Sequence, residues 1–428
     1  MAGLENVGDG VNIAVIGGGW AGIAAAVELT AQGQAVTLFE AGRVLGGRAR
    51  SITLDGHRLD NGQHILLGAY KEILALMRQI GADPDQLLQR LPLAIQDNTG
   101  FRLQLPNIPA PLHLAWGLFT ARGVSLREKL ATAFWIEGLK SRKFRLSADG
   151  AVAAWLDAAG QNGALRRHLW APLCLAALNT PIERASAQLF ANTLRDSLGS
   201  PRREDTDLLL PKADLGQILP EPAAQWLQAN GAELRLRHRV KEIGDRPRFY
   251  ESQNRGLSPI SVDSEPFDAA ILATAPQHAP TLLGVEVNFG FEFEPIGTVY
   301  LAYPEGTTLP SPMLSQQGGI GQWAIDRGHG MIACILSGHG AWEEHSDEEL
   351  AALLSAELGL SHKPLWHGVV REKRATFACR PNLNRPGPAT AHPRLWLAGD
   401  YTWADYPGTL EGAVRSGRRA AQLVLKGL

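Results

Sequence analysis

The chain changes its apolar period twice before Glu40. Val11 to Ile16 is a short, unbroken apolar run of the kind that predicts a buried parallel strand. Trp20 to Gln32 is rich in alanine and predicts a helix that Gly33 ends. Ala35 to Glu40, AVTLFE, predicts a second strand. Strand, helix and strand in this order predict a parallel βαβ unit and an α/β fold. Later segments extend the pattern. Phe267 to Pro276, FDAAILATAP, and Leu395 to Ala398, LWLA, predict further buried strands, and AVRSGRRAAQLVL predicts a closing helix that starts near Thr409. Leu234, Leu236, His238 and Val240 alternate with Arg235, Arg237, Arg239 and Lys241, which predicts a strand with one solvated basic face. No internal repeat or low-complexity segment interrupts the chain.

Length and composition narrow the class. At 428 residues the chain predicts two domains, or one large domain with an inserted lobe. Hydrophobic residues are 45% and charged residues 20%, as in ordinary globular proteins. A net charge of -2 offers no bulk basic field, so nucleic acid is not an expected partner. Cys174, Cys334 and Cys379 are far apart and form no CxxC pair, so neither a disulfide framework nor a metal site is expected. The N-terminal segment carries Glu5 and Asp9 but no basic residue, unlike a signal peptide. No run of about 18 apolar residues is present to span a bilayer. Together these features predict a protein of the cytoplasm.

The turn after the first strand reads Gly17-x-Gly19-x-x-Gly22, a dinucleotide fingerprint. Gly17 permits the tight turn, Gly19 lets the backbone approach a pyrophosphate, and Gly22 lets helix and strand pack closely. The helix start at Trp20 and Ala21 offers free N–H groups and partial positive charge to phosphates. Glu40 ends the second strand, where an acid accepts hydrogen bonds from ribose hydroxyls. It would repel a 2′-phosphate, so NADP is not expected at this site.

Glu40-Ala41 is followed by a second glycine turn, Gly46-Gly47-Arg48. This arrangement resembles the signature of the FAD-binding amine oxidase and carotenoid desaturase superfamily. The resemblance implies a loop over the pyrophosphate, with Arg48 neutralising phosphate charge. Gly399-Asp400 and the stretch PGTLEGA, which includes Gly408, Thr409, Leu410 and Ala413, resemble the C-terminal motif of the same superfamily. They imply that Asp400 bonds the ribityl chain or the pyrophosphate region. The helix after Thr409 would point its N-terminus at the flavin N1–C2=O edge. His238-Arg239-Val240 and the strand ending at Thr274 resemble the pieces that flank the adenine and pyrophosphate, so Val240 and Thr274 are expected at the cofactor. The implied architecture is a Rossmann-type, amine oxidase-like FAD-binding domain built from 1–75, 205–275 and 385–428. A mixed α/β substrate lobe, 76–204 and 276–384, is inserted into it.

A more specific resemblance covers nearly the whole chain. Asp60-Asn61-Gly62-Gln63-His64, LCLAALNTPIERASAQLFANTLRDSL at 173–198, DLLLPKADLGQILPEPAAQWL at 207–227, EKRATF at 372–377 and AHPRLWLAGD at 391–400 are similar to the hydroxysqualene dehydroxylases of hopanoid biosynthesis. That family reduces hydroxysqualene to squalene with loss of water. The allylic hydroxyl leaves well only as water, so a proton donor is expected near flavin N5. His64, Asp196, Asp405 and Tyr406 are the candidates, and Asn61, Gly62, Gln63 and His64 are also expected beside the flavin. Bland readings stand beside each of these. His64 could bond the backbone or cofactor, Arg195-Asp196 could be a salt-bridged helix end, and Tyr401, Trp403 and Tyr406 could simply pack. The chain shows no second dinucleotide fingerprint, so an external electron donor is expected. Residues 101–144 mix Phe101, Leu112, Trp116, Leu118, Phe119, Phe134 and Trp135 with Arg122, Arg127, Lys129, Lys140, Arg142 and Lys143. That mixture fits peripheral contact with the inner face of the cytoplasmic membrane, or an ordinary amphipathic helix pair. The competing activities are a carotenoid or dehydrosqualene desaturase, a flavin amine oxidase, and a non-catalytic polyprenoid-binding flavoprotein.

Overall fold

The computed structural model describes residues 11–245, 259–284 and 289–427, and the acidic segment 1–10 lies outside them. The elements used below are, in chain order, β1 (Asn12–Ile16), α1 (Trp20–Ala31), β2 (Ala35–Glu40), α2 (Lys71–Gln79), α3 (Leu112–Thr120) and α4 (Leu126–Ser141). They continue with α5 (Ala171–Leu178), α6 (Ala187–Asp196), β3 (Glu233–Leu236), β4 (Ala269–Leu272), β5 (Phe293–Ala302) and β6 (Met313–Ser315). The last are β7 (Trp323–Asp326), β8 (Met331–Ser337), β9 (Trp366–Phe377), β10 (Leu395–Leu397) and α7 (Leu410–Gly427).

The first βαβ unit forms where the sequence places it, and β1 becomes the middle of a parallel sheet ordered β3-β2-β1-β4-β10. Ten of the twelve residues of α1 are buried, so the helix shows no polar face. It is enclosed by the sheet on one side and α7 on the other. Two glycines make that enclosure possible. A Cβ on Gly22 would collide with the Gly17 carbonyl, and one on Gly417 with the Ala21 carbonyl. Glu411, fully buried at the start of α7, accepts the Glu72 and Ile73 N–H groups at 3.1 Å each. Those donors would otherwise be orphans of the first turn of α2. Because α2 packs on α7 as one helix, the boundary expected at residue 75 runs through a single element.

A second sheet, antiparallel and ordered β6-β7-β8-β5-β9, carries the inserted lobe. The two-residue period of β5 sorts its side chains. Val299 and Leu301 face Leu350 and Leu354 of the helix Asp347–Leu358. On the opposite face the Thr298 hydroxyl accepts the Gln63 N–H at 3.2 Å, and the Tyr300 hydroxyl donates to the Asp60 carbonyl at 3.0 Å. The second sheet is thereby fastened to the Asp60–His64 turn.

One strand is shorter than its alternation predicts. β3 stops at Leu236 because Arg237 takes a left-handed φ of 58°. Arg235 is paired with Glu233 and Glu265, so no solvated basic face runs along it. His238, Arg239 and Val240 therefore follow the strand as loop.

The two glycine-bearing ends of the chain are locked together. Arg48 Nη2 bonds both oxygens of Asp400, at 2.9 and 3.0 Å, while Nη1 donates to the Ala375 carbonyl at 2.7 Å. The Asp400 carboxylate is buried. Removing its partner leaves a buried charge without its strongest bonds, and Arg48→Met should cost about 1.5–3 kcal/mol. The expected readout is a lower thermal midpoint by circular dichroism. Arg48→Met combined with Asp400→Leu should lose less than the two single losses added together; strict additivity would deny the coupling.

Candidate active site

A single cavity of about 1650 Å³ runs from the first glycine turn into the second lobe. Every cofactor candidate named from the sequence except Gly22 lines it. At one end the cradle is made of backbone. Gly46 N–H bonds the Gly18 carbonyl at 2.8 Å, and the Trp20 indole donates to the Ala49 carbonyl at 2.9 Å, so the two glycine turns lie against each other. α1 has no side-chain cap and no acid in its first turn. Its leading N–H groups are free to receive an anion. A Cβ on Gly19 would meet nothing within 4 Å, whereas those on Gly17 and Gly47 would strike backbone. Gly19 thus opens onto the space a bound group would fill. Thr274 Oγ1 is buried without a partner on the same wall. These features fit a dinucleotide.

Two expected roles change. Arg48 lines the cavity, but its guanidinium is spent on Asp400 and Ala375 rather than held free for phosphate. Asp400 is correspondingly a partner of Arg48 first. Glu40 accepts the Gly18 N–H at 2.7 Å and the Gly42 N–H at 2.5 Å, which leaves lone pairs for a ribose. At α7, Thr409 Oγ1 already accepts the Gly412 N–H, so the open donors of that terminus come before it.

The far end of the cavity is apolar. Leu67, Leu93, Phe190 and Leu208 line it from one side, and Ile296, Trp323 and Ile335 from the second sheet. Asn179 borders the chamber at the C-cap of α5, in a left-handed φ of 47° that asparagine tolerates. Its amide donates to Thr376 Oγ1 and to the carbonyls of Glu294 and Pro295, tying the lobe helix to β5 and β9.

The four candidate proton donors separate. His64 lines the cavity, and its Nδ1 stands 2.8 Å from the Gly62 carbonyl. A carbonyl can only accept, so the ring proton is on Nδ1 and Nε2 is an acceptor. Desolvation, with the Arg48 charge adding to it, lowers the His64 pKa and keeps the ring neutral. His64 is placed to receive a hydrogen bond rather than to give a proton. Asp196, Tyr406 and Asp405 do not line the chamber. The Tyr406 hydroxyl donates to Asp196, and Arg195 pairs with Asp196 at 2.6 Å, so this is a closed helix-end cluster. Burial pushes the Tyr406 phenol up, away from easy ionisation. Asp405 is exposed. The 3₁₀ turn Asp400–Thr402 turns Tyr401 away from the cavity, into a cluster with Phe289 and Phe291.

Sequence reasoning missed Glu372, Arg374 and Thr376, which line the cavity from β9. The motif EKRATF was visible, but nothing local marks which of its alternate residues face inward. Below the Asp60–His64 turn, Arg327 bonds Gln63 Oε1 at 3.0 Å and lies 3.3 Å from Asp60 Oδ2. Burial pushes the Asp60 carboxyl up to about 6 despite that cation.

The family model for flavin containing amine oxidoreductases matches residues 20–425. The chain belongs to this family. It is an oxidoreductase with a flavin-binding α/β fold. It is 31% identical to a Sinorhizobium fredii protein named hydroxysqualene dehydroxylase, covering 97% of this chain and 98% of that one. A Synechocystis zeta-carotene desaturase is 24% identical, covering 97% of each chain. An oxidoreductase crystal structure from Methanosarcina mazei shares the fold, with a TM-score of 0.72 at 13% identity, covering 96% of this chain and all of that one.

Two glycines give opposite predictions. Gly22→Val forces a side chain into the Gly17 carbonyl and should prevent soluble folding. Gly19→Val points into open space and should fold, with a near-native circular dichroism spectrum, yet purify without yellow absorbance. A normally yellow Gly19→Val protein would contradict the placement of the cradle.

Proposed function

We propose that this oxidoreductase binds FAD and reduces hydroxysqualene to squalene with loss of water. The observation that carries the proposal is the continuity of the cavity. A backbone cradle suited to a dinucleotide opens into an apolar chamber without a barrier between them. Gly17, Gly19, Trp20 and Ala21 would hold the pyrophosphate, with Gly46 and Gly47 closing over it. Glu40 and Ala41 would hold the adenosine ribose, with Val240 and Thr274 nearby. Asn61 to His64, Gly399, Asp400 and Gly408 to Ala413 would border the ring end. Bound FAD, once reduced by an external donor, supplies hydride. The full-length similarity to a hydroxysqualene dehydroxylase, higher than that to a desaturase, supports this direction of transfer.

The protein's own groups account for the remaining requirements. The leucines, Phe190, Ile296 and Trp323 exclude water from a long polyene, and the gain from burying such a chain is about 0.8 kcal/mol per CH₂. His64 Nε2 is placed to accept the substrate hydroxyl and so fix its position. Asn179 and Thr376 add polar contacts at the boundary between chamber and cradle. Purified protein, reduced without oxygen and mixed with hydroxysqualene, should form squalene with one flavin re-oxidised per squalene. Desaturated products from phytoene or dehydrosqualene under oxidising conditions, with no squalene formed, would favour the desaturase reading instead.

We further propose that α3 and α4 rest on an anionic membrane surface. Leu112, Trp116 and Phe119 share one face of α3, and Leu126, Leu130 and Phe134 one face of α4. All six are exposed, Phe119 at 65% and Phe134 at 77%. Arg122, Arg127, Arg142 and Lys143 are exposed around them. Lys129 caps the end of α3 and Lys140 pairs with Glu137, so those two are occupied. Phe101 packs in the core and Trp135 against Trp155 and Trp170. Among the described residues no helix is long and apolar enough to cross a membrane. Replacing Leu112, Trp116 and Phe119 together by Ser should abolish co-flotation with phosphatidylglycerol liposomes. Undiminished flotation would reject the surface.

A further inference from the structure

With His64 held as an acceptor, the departing hydroxyl still needs a proton. Four carboxylates line the cavity: Glu40, Glu221, Glu372 and Asp400. Three are committed. Glu40 binds the backbone of Gly18 and Gly42, Asp400 is clamped by Arg48, and Glu221 pairs with Arg58. Among the described residues Glu372 makes two weaker contacts. Its Oε1 accepts the Arg374 N–H at 3.2 Å, and its Oε2 lies 3.4 Å from Asn61 Nδ2.

Its position follows from strand register. Glu372 on β9 stands opposite Ile296 on β5, which stands opposite Ser337 on β8. All three line the cavity, so this cross-strand row is part of the chamber wall. Glu372 is the one carboxylate that the antiparallel sheet contributes to it. Asn61, which reaches Glu372, also donates to the Arg48 carbonyl at 3.0 Å, and the next residue, Gly62, carries the carbonyl that orients His64. One turn therefore positions an acceptor and a carboxyl group at the same end of the chamber. The charged groups around it are Arg48 behind Asn61 and Arg374 on its own strand, whose guanidinium lies over the Phe293 ring at 5.7 Å.

We propose that Glu372 is the general acid of the reaction, an assignment that rests on the dehydroxylation proposed above. The carboxyl O–H bond breaks and its proton passes to the substrate oxygen. The allylic C–O bond then breaks with its electron pair on oxygen, which departs as water. A reduced flavin held by the cradle would supply the hydride and its two electrons to the allylic carbon and be left oxidised. Solvent returns the proton to the carboxylate.

The test uses the flavin-loaded protein with Glu372→Gln and Glu372→Asp. Three quantities are measured: flavin content, squalene binding by perturbation of the flavin spectrum, and flavin re-oxidation in a single turnover with hydroxysqualene. Glu372→Gln should slow re-oxidation by about 10²–10⁴-fold. Flavin content and squalene binding should stay at wild-type levels, and Glu372→Asp should recover part of the rate. A Gln variant within twofold of wild type would overturn the assignment. So would loss of flavin and rate together in both variants, which would make Glu372 an anchor of the Asn61 turn. A wild-type protein that binds squalene but never re-oxidises with hydroxysqualene would instead overturn the dehydroxylation itself.

Discussion

The Arg48–Asp400 pair is the constraint on which the site depends. It joins residues 352 positions apart, and Arg48 simultaneously holds the Ala375 carbonyl of β9. Three regions meet at one guanidinium: the second glycine turn, the long strand of the inserted lobe, and the start of the C-terminal motif. The fork geometry of arginine is needed, since a lysine could not bond two carboxylate oxygens and a carbonyl from one rigid plane. That meeting adds to the bonds of Thr298 and Tyr300 to the Asp60–His64 turn, which also tie the antiparallel sheet beside the cavity. The pair also explains why a motif read as phosphate recognition works first as architecture. On the proposed reading, phosphate charge would fall to the backbone of α1, which needs no side chain to receive it.

Much of the parallel half was legible because its signals are local. The glycine turn, the strand AVTLFE and the terminal acid Glu40 are contiguous, and each residue has a task within its own turn or strand. The glycines and Asp400 near the other end were legible by resemblance. What failed was anything decided by distant partners. The alternation after Leu234 looked like a strand, but Arg237 bonds the Gly42 carbonyl in a left-handed conformation and ends it. Asp196 and Tyr406 looked available, but they find each other across 210 positions. His64 lines the cavity, while its tautomer depends on a carbonyl two residues back.

The chamber wall was the least legible part for a related reason. β5, β8 and β9 each alternate, and the alternation shows that two faces exist without showing which one meets the cavity. That choice is made by the hydrogen bonds of Thr298 and Tyr300 to the Asp60–His64 turn. Shift β9 by one residue and Glu372 would leave the wall while its neighbour entered. The register of a sheet thus fixes the chemistry of a pocket formed against a different domain.

An apolar chamber imposes a further condition on that chemistry. A positive carbon formed among leucines and tryptophan loses the stabilisation of water, and the cost falls only if hydride arrives without delay. A permanently charged histidine at the same end would oppose it electrostatically. Burial of His64 bears on both needs, since desolvation keeps the ring neutral, and under the proposed function Nε2 would hold the hydroxyl. The nearby Arg48 charge, although paired with Asp400, lowers the His64 pKa further. On the assignment proposed above, neutral orientation by His64 and a proton from Glu372 would meet at the oxygen that must leave.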